Sequence, residues 1–237
     1  MGQPRIFSII DKVCFDYNLI EDGDRILVGA SGGKDSTLLI NYLSQRKKRP
    51  NAHFEFSCLH IHTEFASPFD KDLEQLFNSW NADLRFFEID VQDRLKEGKK
   101  MSCYWCSTQR RKELREYAIK NGYNKIALGH HLDDVLETLL MNQMQKGVLS
   151  TMPPRLKFDK FPVTIIRPLY YADEKTIIDY ANQNNWKRFT CTCNYQENST
   201  RKEARKRIQL LTDGDYRLKT QMLQSIKKQN IITDYLP

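Results

Sequence analysis

The stretch RILVGASGGKDSTLL, residues 25–39, decides the fold. An apolar run, Ile26 to Val28, ends in a turn of small residues, Gly29 to Gly33, and Lys34 onward reads as a helix. A strand that passes through a glycine turn into a helix makes an anion site. Gly32 and Gly33 can take backbone angles that other residues avoid, so several N–H groups can converge on one oxyanion. The helix behind them adds its unpaired amides and the positive end of its dipole. Ser31 and Ser36 supply hydroxyls, Lys34 a point charge, and Asp35 a carboxylate able to hold a metal that bridges phosphates. An ordinary glycine corner would not require Ser, Lys, Asp and Ser in this order. The spacing is not that of the Walker loop, GxxxxGK[ST].

Working outward, residues 4–20 place Ile6, Ile9, Ile10, Val13 and Tyr17 at helical spacing, with Cys14 on the same apolar stripe. After the helix at 34–45 comes a basic loop, Arg46 to Pro50, which is either a solvated turn or an RNA contact. Phe54 to His62 alternates and reads as a strand, with Cys58 in its core. In doubly wound sheets a nucleotide lies across the carboxyl ends of the strands, so His60 and His62 are expected to wall the adenine. The pattern continues with a helix at 69–80, strand 84–89, helix 107–121, strand 125–128, helix 133–146, strand 163–166 and helix 174–184. Strands separated by helices imply an α/β fold, a mainly parallel sheet with helices on both faces. The expected organisation is an N-terminal helix (1–20), a nucleotide domain (21–186) and a basic helical C-terminal section (187–237) packed on it.

The 237-residue chain carries a formal charge of +7. Between Lys187 and Lys228 stand eleven Lys and Arg against four Asp and Glu, which equals the whole excess. A basic face of that kind suits a polyanion such as RNA. No apolar run approaches the ~18 residues of a membrane span, and the N-terminus does not read as a signal peptide. A cytoplasmic protein with no membrane partner is expected.

Six cysteines in such a chain argue for metal or redox chemistry rather than a disulfide framework. Cys103 and Cys106 form a CxxC, which redox dithiols, zinc sites and iron–sulfur sites all use. A second pair, Cys191 and Cys193, follows almost ninety residues later. Four thiolates could close a tetrahedral zinc site. Three thiolates on a four-iron cluster would instead leave one iron without a protein ligand, able to hold a sulfide. Chemistry alone leaves both arrangements open.

The SGGKDS of Ser31 to Ser36 resembles the PP-loop of the ATP pyrophosphatases, which implies cleavage of ATP between its α and β phosphates. Gly129-His130-His131-Leu132-Asp133-Asp134, between a strand and a helix, resembles the GHHxDD motif of the tRNA 2-thiocytidine synthases, which thiolate cytidine 32. Ile20 to Arg25 (IEDGDR), CxxC with Arg110 and Arg111 after it, Met152-Pro153-Pro154 and Ile166-Arg167-Pro168-Leu169 run in that family's order. The match covers residues 4–210.

The resemblance implies ATP, Mg²⁺ and a [4Fe–4S] cluster as cofactors. It implies tRNA and a cysteine desulfurase or other sulfur donor as partners, and leaves homodimer formation open. ATP would lie on Ser31, Gly32, Gly33, Lys34, Asp35 and Ser36, with His60, His62, Gly129, His130 and Asp133 around it. Asp35 would hold Mg²⁺, helped by Asp133 or Asp134, and Lys34, Asp35, His131 and Asp134 would be the catalytic set. Cys103 and Cys106 carry over as cluster ligands. The third is Cys193 if Cys-Asn is matched to the family's pattern, or Cys191 if residues are counted forward without gaps. The RNA backbone would meet Arg110, Arg111 and a helical stripe of Arg201, Lys202, Arg205, Lys206 and Arg207. The rival readings are another PP-loop tRNA modifier, of the 2-thiouridine or lysidine synthase type, and a zinc-stabilised nucleotide- or RNA-binding module without turnover.

Overall fold

The computed structural model describes residues 2–96, 98, 100–186 and 199–228. Cys191, Cys193 and the composition shift near Lys187 lie outside them. The strand after the first helix, β1 (Arg25–Gly29), occupies the middle of a six-stranded sheet of order β3-β2-β1-β4-β6-β5. Its partners are β2 (Glu55–Thr63) and β4 (Lys125–Ala127), both parallel, with β3 (Leu84–Ile89) beyond β2 and β6 (Thr164–Ile166) beyond β4. Only β5 (Arg155–Lys157) runs antiparallel, against β6. Three residues without clear alternation gave no sequence signal for it.

The helices are α1 (Arg5–Asp16), α2 (Lys34–Lys47), α3 (Lys71–Ser79), α4 (Cys103–Lys120), α5 (Leu132–Lys146), α6 (Glu174–Gln183), α7 (Ser199–Thr212) and α8 (Tyr216–Lys228). On one face α1 and α2 bury Ile6, Phe7, Ile10, Val13, Leu38, Leu39 and Leu43 with Tyr170 and Ile177 in the larger core. On the other face, Leu114 and Ala118 of α4 cover Leu27, Leu59 and Ile126. Each such side chain taken from water contributes roughly 1.5–3 kcal/mol before entropy is counted. Cys14 and Cys58 are 3% and 0% exposed, as the apolar pattern predicted, and burial pushes both thiols up, Cys14 to about 11.

Charged residues also lock the frame. Asp11 of α1 receives Arg49 at 2.8 Å and Tyr42 at 2.7 Å, with Arg46 at 3.4 Å. Burial works against the Asp11 carboxylate, but these partners outweigh it and hold its pKa below the ordinary value. Arg46, which lies in the last turn of α2 rather than in the expected basic loop, and Arg49 just after it are therefore both paired within the chain. At the amino end of the sheet, buried Lys125 meets Asp24 at 2.6 Å and Glu21 at 2.7 Å, which gives the IEDGDR segment a structural task.

Candidate active site

The turn after β1 has the expected special backbone angle at Gly32 but not at Gly33, whose angle any residue could adopt. Gly32 sits at φ +81°, a left-handed angle that costs a side chain energy, while Gly33 is extended and caps α2. No side chain caps α2, so its first amides stay available at the carboxyl edge of β1. Ser36 Oγ donates to the Gly33 carbonyl at 3.0 Å and lies 3.0 Å from Ser31 Oγ. The Lys34 ammonium stands 3.2 Å from Asp35 and 3.1 Å from Glu174, the first residue of α6. Burial opposes its charge, but the two carboxylates outweigh that and raise its pKa. Asp35 Oδ1 is buried and makes no hydrogen bond, and its charged neighbour is the Lys34 ammonium 3.2 Å away.

His60 closes one side. Its Nδ1 lies 2.8 Å from the Ala30 carbonyl, which can only accept, so Nδ1 carries the proton and Nε2 is a bare acceptor. That Nε2 is buried without a partner, and burial lowers the imidazole pKa. Phe69 packs edge-on at 4.7 Å, ring centre to ring centre, with Phe86 6.0 Å from His60. His62 is half-buried beside them, 6.2 Å from His60.

The second loop, Gly129 to Asp134, enters from β4. A Cβ on Gly129 would sit 3.1 Å from Ser36 N and 3.2 Å from Asp35 C, both backbone atoms that cannot give way. This glycine is demanded by close approach of the two loops. Gly129→Ala is expected to cost about 1–3 kcal/mol in thermal unfolding; an unchanged melting temperature would contradict this packing.

His131 is 3% exposed and caps α5, its N–H donating to Asp134 Oδ2 at 3.1 Å. Its ring lies 3.9 Å from Asp35 and 3.5 Å from Asp134. Asp133 and Asp134 face other partners than expected. Asp133 Oδ1 holds the Lys219 ammonium at 2.7 Å and Oδ2 accepts the Glu174 amide at 2.7 Å. The second oxygen of Asp134 meets Arg201 at 3.0 Å. Both carboxylates are occupied, so neither stands open as a magnesium ligand beside Asp35; they clasp α6, α7 and α8 to α5.

The CxxC opens α4 itself rather than preceding a helix at 107. Ser102 caps the helix, its Oγ accepting from Trp105 N at 3.2 Å. That cap and the Trp105 indole, which donates to the Val91 carbonyl at 3.2 Å, start the helix four residues early. Cys103 and Cys106, three apart on the first turn, share one helical face and are half-buried. The spacing and the helix N-terminus, where negative charge is favoured, fit two thiolate ligands of one metal group. The described residues include no complete set of three His, Cys, Asp or Glu ligands. Cys191 and Cys193 are not among those residues.

Residues 7–211 match the PP-loop domain family. The tRNA-cytidine(32) 2-sulfurtransferase of Vibrio cholerae serotype O1 is 35% identical over 240 residues, 99% of this chain and 76% of that protein. The chain belongs to the tRNA-cytidine(32) 2-sulfurtransferase family. Its Legionella pneumophila member is 33% identical over 95% of this chain and 81% of its own length. Among solved structures, the U34-tRNA thiolase NcsA from Methanococcus maripaludis, determined with its [4Fe-4S] cluster, superposes with a TM-score of 0.78. It covers 94% of this chain and 79% of that one at 21% identity, a likeness of fold. The NH3-dependent NAD synthetase of Campylobacter jejuni, in complex with nitrate, gives a TM-score of 0.54 at 14% identity, with all of both chains covered.

For this member of the sulfurtransferase family the basic stripe is divided. Arg201 and Arg205 both pair with acids of α5, Arg201 with Asp134 at 3.0 Å and Arg205 with Glu137 at 2.7 Å, although the Arg205 side chain stays half exposed. Arg207 pairs with Glu203 at 3.0 Å. Lys202 and Lys206 remain exposed. The i, i+4 spacing found one helical face correctly but did not show that acidic side chains of α5 lay beneath it. Arg110 lies near enough for its charge to bear on His60, and Arg111 for its charge to bear on Arg167. Glu174 was missed; the only signal was an acid at the first position of a helix that follows a strand. No helix among the described residues is long and apolar enough to cross a membrane.

Proposed function

We propose that this chain is an ATP-dependent tRNA sulfurtransferase that replaces the C2 oxygen of cytidine 32 with sulfur. The observation that carries this is a phosphate loop with free first-turn amides, in a chain 35% identical over nearly its full length to a named cytidine(32) 2-sulfurtransferase. The loop amides and Ser31 to Ser36 hold the phosphates, and Asp35 would hold a Mg²⁺ that offsets their charge. The cytidine C2 oxygen attacks the α-phosphate, the bond to the β-phosphate breaks and pyrophosphate leaves. Lys34, released from Glu174, stabilises the charge that develops on it. Sulfide, supplied as such or released from a donor's persulfide (that of a cysteine desulfurase, for example) by a thiol reductant that is oxidised to the disulfide, then attacks C2, and AMP departs.

Cys103 and Cys106, with Cys193 or Cys191, would hold a [4Fe–4S] cluster, which supplies an iron without a protein ligand, open to sulfur. His131, locked between Asp35 and Asp134, keeps the two loops in register, and the exposed Lys202 and Lys206 meet the tRNA.

The test is mass spectrometry of tRNA nucleosides after incubation of the chain with ATP, a sulfide source and tRNA. 2-Thiocytidine supports the reading; 2-thiouridine or lysidine in its place rejects it. Lys34→Ala is expected to lower tRNA-dependent pyrophosphate release by about 10²- to 10³-fold. A rate within threefold of wild type would remove Lys34 from the mechanism.

A further inference from the structure

Among the described residues, each buried lysine sits on a carboxylate. Lys125 meets Asp24 at 2.6 Å and Lys219 meets Asp133 at 2.7 Å. Arg167 does not follow that pattern. It is 5% exposed, and its hydrogen bonds go to two neutral acceptors, the Pro153 carbonyl at 2.6 Å and His130 Nδ1 at 3.4 Å. Among the described residues it forms no ion pair. Burial lowers its pKa to about 10, so it remains a cation at neutral pH. A buried charge without a contacting counter-ion is costly; the Arg111 guanidinium adds to the positive field, and Asp134, which partly offsets it, is not within ion-pair distance of Arg167.

The position gives this charge a use. Arg167 follows β6, His130 follows β4 and the phosphate loop follows β1, three neighbouring strands whose carboxyl ends share one edge. A guanidinium cannot accept a hydrogen bond, so Nδ1 of His130 is the acceptor and its proton sits on Nε2. Burial, then Arg167, push the His130 pKa down, which keeps the ring neutral in that tautomer. The pair thus offers a fixed cation and a neutral N–H donor; the nearby anion that bears on both, Asp134, is itself paired with Arg201 at 3.0 Å.

We propose that Arg167 and His130 form an oxyanion pocket for a phosphate ester, separate from the loop amides that take the pyrophosphate. This rests on the ATP-dependent reading above. Two sources carry that chemistry: the nucleotide α-phosphate, which stays on AMP, and a backbone phosphate of the tRNA.

The experiment is equilibrium binding of adenosine, AMP and a tRNA transcript to the full chain, as wild type, Arg167→Gln and Arg167→Lys. If the α-phosphate is the occupant, the glutamine variant binds AMP about 10- to 100-fold more weakly while adenosine is unchanged. The lysine variant, which keeps the charge but loses the fork, falls between. If a backbone phosphate is the occupant, AMP is unchanged and tRNA binding weakens, with the slope of log affinity against log salt reduced by ~0.7–0.9. AMP, adenosine and tRNA all within twofold of wild type would overturn the pocket. Should the glutamine variant not fold, the lysine variant decides: loss confined to AMP or to tRNA supports the pocket, and none, or equal loss of all three, rejects it. Wild-type chain that binds no adenine nucleotide refutes the ATP reading instead, and the tRNA arm still decides the pocket.

Discussion

Cys103→Ala is expected to bring tRNA thiolation down to the background of tRNA alone, while adenine-nucleotide binding and the thermal melt stay near wild type. Cys103 occupies the first position of α4, half-buried, and alanine is the best helix former, so the helix persists without the thiol. The phosphate loop lies on a different strand and keeps its geometry. Loss of thiolation together with loss of iron and labile sulfide in the anaerobically prepared variant would assign the cluster to this helix. Normal thiolation by the variant would remove the cluster from the mechanism. Cys106→Ala should lose activity equally but is expected to melt somewhat lower, because Cys106 also packs against the core beneath α4 with Trp105 and Met101.

Lys219→Met is expected to destabilise the chain by about 3–5 kcal/mol, measured by urea unfolding, since it leaves the buried Asp133 carboxylate without its cation. Lys219 is 5% exposed and Asp133 8%, so water cannot replace the lost partner. Adding Asp133→Asn to Lys219→Met should recover part of the loss, because the neutral amide keeps an oxygen for the Glu174 N–H and no longer buries an unpaired charge. A single variant as stable as wild type would mean that α8 is held by its apolar contacts, Leu223 and Ile226, alone.

The strand–turn–helix at residues 25–39 was legible because its signals are local: an apolar run, glycines where a left-handed angle is needed, and a helix start. The parallel sheet followed from strands alternating with helices. What escaped the sequence was where charged side chains end up. Asp133 and Asp134 read as metal ligands because two carboxylates beside a phosphate loop have an obvious use. Their partners Lys219 and Arg201 stand more than sixty residues away and no periodicity connects them. Arg201 and Arg205 read as a nucleic-acid stripe for the same reason. The early start of α4 depends on Ser102 and on the indole bond to Val91, contacts that a helical pattern does not contain. Arg167 was visible only as part of a motif, since the lack of a counter-ion is a property of the folded surroundings.

The carboxylate of Asp133 has a consequence for how this sequence can change. One oxygen fixes the α8 lysine, and the other fixes the backbone of Glu174, whose side chain holds Lys34. Positions 34, 133, 174 and 219, scattered over most of the chain, therefore behave as one hereditary unit. A substitution at 219 that drifts in without a matching change at 133 is felt at Lys34 in the phosphate loop. Among relatives, the four positions are expected to change together or not at all.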